Sequence, residues 1–84
     1  MSWSASIRIV DDDGDGVEGA RVSIHFFGLV GGHLIEYTDE DGWAFFEIDS
    51  ASSSSKNVET IYVNGEEVDS GLTIDDEETL SYSI

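Results

Sequence analysis

Asp11, Asp13 and Asp15, followed by Gly16, place three carboxylates at every second position ahead of a glycine. A calcium loop begins this way, with hard oxygen donors on alternating residues before a sharp turn. Glu18 offers a further acid. An EF-hand needs a bidentate acid at its twelfth loop position. That position is Val22, and no helical period flanks the segment, so an EF-hand is excluded. A looser calcium site at Asp11, Asp13, Asp15 and Glu18 stands against a plainer reading, an acidic turn that supplies too few of the roughly six to eight oxygens calcium takes. Asp39 and Asp41 form a smaller version of the same pattern.

His25 and His33 flank Gly31-Gly32, a two-residue turn signal. A hairpin there brings two imidazoles toward each other, with Glu36 nearby as a third donor. Ordinary strand histidines are the alternative. The serines cluster between Ser50 and Ser55, where a nucleophile is poorly held. Nineteen acidic residues make any one carboxylate pair uninformative as a hydrolytic site. The sequence assembles no catalytic triad or dyad, and the expectation is a chain that is not an enzyme.

The charge balance narrows the partners. Three basic residues, Arg8, Arg21 and Lys56, face those nineteen acids, for a net charge of −16. Binding nucleic acid requires cationic groups that displace phosphate counterions, so nucleic acid is excluded as a partner. Anionic membrane surfaces are disfavoured for the same reason. Abundant Asp and Glu with a single lysine suit a salt-adapted chain, in which ions screen self-repulsion. Hydrophobic residues make up 39% of the chain, enough for a small core. Eighty-four residues make one domain, and the lack of cysteine removes disulfides and thiolate metal sites. No signal-peptide pattern or long apolar run is present. A complete chain of this kind belongs in the cytoplasm, and a domain cut from a larger protein belongs outside the cell.

Alternation with period two runs through the sequence. Trp3, Ala5, Ile7 and Ile9 share one face of a first strand. Ala20 to Val30 reads as a second, with Val22, Ile24 and Phe26 on one face and His25, Phe27 and Leu29 on the other. His33 to Thr38 is a third. Trp43 to Asp49 is a fourth, with Ala44, Phe46 and Ile48 opposed to Trp43, Phe45 and Glu47. Ser50 to Asn57 reads as a loop. Val58 to Val63 and a short Glu66 to Val68 flank Asn64-Gly65, the strongest hairpin signal in the chain. Leu72 to Ile74 pairs briefly, and Thr79 to Ile84 is the last strand. The expectation is an all-β sandwich of about seven short antiparallel strands.

Two blocks carry a family resemblance. Asp11, Gly14, Val17, Gly19, Ala20 and Val22 fit Asp-x-x-Gly-x-x-Val-x-Gly-Ala-x-Val. Thr38, Asp39, Asp41, Gly42, Ala44, Phe46 and Ile48 fit Thr-Asp-x-Asp-Gly-x-Ala-x-Phe-x-Ile. Together they resemble the carboxypeptidase regulatory-like branch of transthyretin-like (prealbumin-like) domains. The resemblance implies a Greek-key β-sandwich that serves as a non-catalytic folding, spacing or adhesion module, some members of which bind carbohydrate. Residues 57–71 depart from the family's usual glycine-aromatic segment, which leaves the later strand order open. The related hydroxyisourate hydrolases end in Tyr-Arg-Gly-Ser, whereas this chain ends Leu80-Ser81-Tyr82-Ser83-Ile84. Related adhesin domains form a Lys–Asn isopeptide. The one lysine, Lys56, reads as lying beside the serine loop and off the core strands, which disfavours a bond to Asn57 or Asn64.

If Val22, Ile24, Phe26, Ala44, Phe46 and Ile48 build the core, then Phe27, Leu29, Trp43 and Phe45 point away from it. Strands two and four need not be adjacent. The alternatives are cover by the Ser50–Asn57 loop or a terminal strand, or a register one residue out, which would swap every face. If the four residues do form one patch, an exposed apolar surface in so acidic a chain suggests an interface. The first expectation is a homodimer through that face. The second is carbohydrate stacking on Trp43 or Phe45. The functional expectation is therefore a non-catalytic protein-interaction or structural module, with carbohydrate or calcium binding as the alternative. No cofactor is expected apart from that calcium.

Overall fold

The computed structural model describes residues 2–27, 32–49 and 54–84. Seven strands follow one another: β1 (Trp3–Val10), β2 (Arg21–Phe26), β3 (His33–Tyr37), β4 (Trp43–Ile48), β5 (Ser55–Val63), β6 (Glu66–Asp75) and β7 (Glu78–Ser83). They form two sheets, a three-stranded one in the order β4-β1-β7 and a four-stranded one in the order β3-β2-β5-β6.

Each strand turns its apolar alternate toward the space between the sheets, where burial of this surface drives folding. From the three-stranded sheet come Trp3, Ala5, Ile7, Ile9, Ala44 and Phe46, and from the other Val22, Ile24, Val58, Ile61, Val63 and Ile74. Two side chains tie the layers together with hydrogen bonds. The Trp3 indole Nε1 donates to the Ile74 carbonyl at 3.0 Å, and the Tyr82 hydroxyl donates to Asp69 Oδ2 at 2.7 Å. Burial and then the Asp69 carboxylate hold the Tyr82 phenol well above its ordinary range. The neutral phenol is thus the form the fold prefers. Its contribution is complete below about pH 10 and is lost as the pH climbs further.

Asn64-Gly65 closes the β5–β6 hairpin with positive φ at both residues, 53° and 88°, the geometry of the favoured hairpin turn. Three features differ from the sequence reading. β1 and β7 run parallel, so the strands are not all antiparallel. β5 begins at Ser55, which places Lys56 on a strand opposite Ile74 and not in a loop. β6 is one ten-residue strand and not two short pieces. Its polar middle gave no apolar alternation to follow, and it is the ladder with β5, from Val63–Glu66 to Ser55–Asp75, that carries it as one strand. Gly31 and the first part of the serine stretch, 50–53, lie outside the described residues.

Candidate functional site

The two sequence blocks turn out to be the same turn built twice. Asp11 Oδ1 accepts hydrogen bonds from the backbone N–H of Asp13 and Asp15 at 2.9 and 3.0 Å. Asp39 Oδ1 accepts from Asp41 and Trp43 at 2.9 and 3.0 Å. The Asp11 N–H donates to the Asp15 carbonyl, as Asp39 does to Trp43, and Gly14 and Gly42 donate back to the first aspartate of each turn. A short acceptor that satisfies backbone donors two and four residues on is what aspartate supplies in turns.

The two turns then lock together. Ile9 donates to the Gly42 carbonyl at 2.8 Å and accepts from Val17 at 2.9 Å. A Cβ on Gly16 would overlap the Asp41 carbonyl oxygen. Thr38, buried, receives the Ala20 N–H on its hydroxyl at 2.8 Å and donates to the Val17 carbonyl. The spacing that marks the blocks therefore records a joint in the fold.

Within the first turn one carboxylate oxygen from each of Asp11, Asp13 and Asp15 lies within 4.8 Å of the other two. They are the sole group of three or more potential metal ligands among the described residues, and Glu18 is not part of it. Asp11 already commits one oxygen to the backbone. The Asp39 turn adopts the same geometry with Trp43 in the place of Asp15, so the Asp15 carboxylate is not needed to form the loop, and Asp13 enters the turn through its backbone N–H. Three like charges this close repel one another, and salt screens that repulsion. Asp13→Asn is expected to raise the melting temperature at low salt by about 3 °C, with the gain vanishing in molar salt. A calcium site predicts the opposite in the presence of calcium, because the asparagine would leave one anionic ligand fewer. Thermal melts in EDTA and in calcium at fixed ionic strength separate the two.

His25 and His33 are cross-strand partners on the outer face of the four-stranded sheet. Glu36 pairs with Val22, a position whose partner is buried in the core, so it alternates to the opposite side of β3 and does not join the histidines. The two-histidine-plus-Glu36 arrangement is thus ruled out by the register.

The expected apolar patch divides in two. β2 and β4 belong to different sheets, so Phe27, just past the end of β2, does not sit beside Trp43 and Phe45. Leu29 lies outside the described residues. Trp43 and Phe45 stand on the outer face of the three-stranded sheet, their rings 6.2 Å apart and within 15° of parallel. Phe45 is 60% exposed. Arg8, the register partner of Trp43, holds its guanidinium carbon 6.0 Å from the indole centre, and its Nε donates to the Asp41 carbonyl at 3.1 Å. That places a cation over an aromatic face and fixes both side chains.

The neighbouring outward positions are small and polar, Ser4 and Ser6 on β1 and Thr79, Ser81 and Ser83 on β7, with Val10 at the end of β1 the apolar exception. The acidic residue on this face is Glu47, whose carboxyl is held above its ordinary range by a hydrogen bond with Asp49, that residue's charge and slight desolvation. The sequence alone did not associate Arg8 with Trp43, because that depends on which strands pair. It also missed Ile35 and Tyr37, exposed on β3. No protein-family model matches the chain, and no curated protein matches it significantly.

Proposed function

We propose that the chain is a non-catalytic protein-interaction module of the transthyretin-like Greek-key type, salt-adapted, which self-associates through the outer face of its three-stranded sheet. The fold assignment is supported by the paired aspartate turns, which give the two family-like blocks one physical purpose. The observation that carries the functional reading is the distribution of charge. The chain has nineteen acids, yet the outward ladder positions of β1, β4 and β7 offer one basic residue, Arg8, and one acid, Glu47. This sparsely charged face, bearing Trp43 and Phe45 and bordered by Asp49 beside Glu47 and by Asp76 beside Ser4, is where a second copy can approach with least repulsion once salt screens those acids. The same near-parallel rings, bordered by hydroxyls, also fit the apolar face and polar rim of a sugar, which makes carbohydrate the second reading.

Light scattering across protein concentration, at low and high salt, tests the proposal. A dimer that strengthens with salt is expected, together with a folded monomer for Phe45→Asp. A wild type that stays monomeric at every concentration removes self-association. Glycan-dependent quenching of Trp43 fluorescence in that monomer would instead establish the carbohydrate reading.

A further inference from the structure

We infer that His25 and His33 form a two-imidazole site for a divalent transition-metal ion on the outer face of the four-stranded sheet. The proposal is independent of the self-association reading, which concerns the other sheet.

The geometry begins with register. Ile24 is buried and pairs with Leu34, so the adjoining pair, His25 opposite His33, points outward on both strands. Their ring centres are 5.2 Å apart and the rings lie within 17° of parallel. A metal bound to one nitrogen of each imidazole sits about 2.0–2.1 Å from each. Its distance to each ring centre is then about 3.2 Å, and a tetrahedral angle between the two puts the centres roughly 5 Å apart. The free protein already holds that separation, and binding requires the stacked rings to turn so that one nitrogen of each faces the ion.

A third ring limits the freedom of the pair. Tyr62 on β5 meets His25 edge-on, with centres 5.0 Å apart and planes at 75°. His25 is half-buried against it, while His33 is exposed on the edge strand β3, leaving the site open to solvent. The paired strands fix the backbone positions of both histidines, so binding orders only the rings.

The donor set decides the class of ion. Imidazole suits zinc, copper and nickel, whereas calcium and magnesium prefer oxygen. Glu36 faces the other way, and no carboxylate among the described residues joins the two histidines in a group of three. Water fills the remaining positions, so the ion stays open to a further ligand. The overall charge of −16 raises the local concentration of any cation and supplies attraction without selectivity.

The test is a titration of tag-free protein with zinc chloride and nickel chloride at pH 7.5. Excess magnesium occupies the carboxylates. Calorimetry is expected to give one equivalent per chain, and the side-chain nitrogen resonances of both histidines should shift together. His33→Ala, at an exposed position, and His25→Gln should each weaken binding at least tenfold, with Asp13→Asn leaving it unchanged. Circular dichroism melts confirm that the variants fold. Absence of binding in the presence of magnesium, or binding that survives both histidine substitutions, would overturn the proposal.

Discussion

Gly42→Ala is expected to cost about 3 kcal/mol or more, a large part of the roughly 4–12 kcal/mol that a chain of this length holds. Gly42 has φ of 87°, and a Cβ there would run into the Ile9 carbonyl oxygen and lie 2.8 Å from the Gly16 Cα. Both are backbone atoms, held in place by the hydrogen bonds between Ile9, Val17 and Gly42. Relief would require the two turns to part. The internal control is Gly14, the matching glycine of the first turn, with φ of 84° and nothing within 4 Å of the place a methyl group would take. Gly14→Ala should lose about 1–2 kcal/mol, the cost of a left-handed backbone alone. The difference between the two variants isolates the contact between turns. Urea denaturation followed by circular dichroism reads it directly, with midpoints separated by roughly 1–2 M. Equal midpoints would mean that the turns fold independently.

Trp3→Ala should remove about 3–5 kcal/mol. Trp3 is fully buried, meets Phe26 edge to face with centres 5.9 Å apart, and hydrogen-bonds across the sandwich to Ile74. The alanine leaves a cavity at the end of the core and strands a carbonyl. Trp3→Phe keeps most of the volume and gives up the hydrogen bond, so about 1–2 kcal/mol is expected. Thermal melts of both variants settle the ordering. A phenylalanine variant as unstable as the alanine one would place the value of this residue in the hydrogen bond and not in its bulk.

Much of this architecture was legible because period two survives wherever a strand has one buried face. β1 and β4 show it without interruption, and Asn64-Gly65 announced its own backbone geometry. What could not be read was partnership. Nothing in the residues of β1 or β7 states that they lie side by side and parallel. Nothing in β2 or β4 says that they sit in different sheets, and that single fact separates Phe27 from Trp43 and Phe45. The same limit hid Arg8 beside Trp43 and Tyr62 beside His25. Asp11 and Asp39 were visible as acids on turns, but their role as acceptors for backbone donors emerges only once the turn is built. The serine-rich approach to β5 misled for a local reason. Serine disfavours regular structure on its own, and pairing with β6 overrides it from Ser55 onward.

The parallel neighbours β1 and β7 have a mechanical consequence. The chain comes into this pair at Trp3 and leaves it at Ser83, at opposite ends of the ladder. Tension applied through the two ends of the chain therefore slides one strand along the other and does not peel them apart. Peeling breaks hydrogen bonds in succession. Sliding loads the ladder from Ala5–Glu78 to Val10–Ser83 all at once, along with the final bond from Ile84 to Val10. Resistance to stretching is thus set by strand direction and not by the depth of the core, and a thinly stabilised domain of this topology can still behave as a stiff link under load.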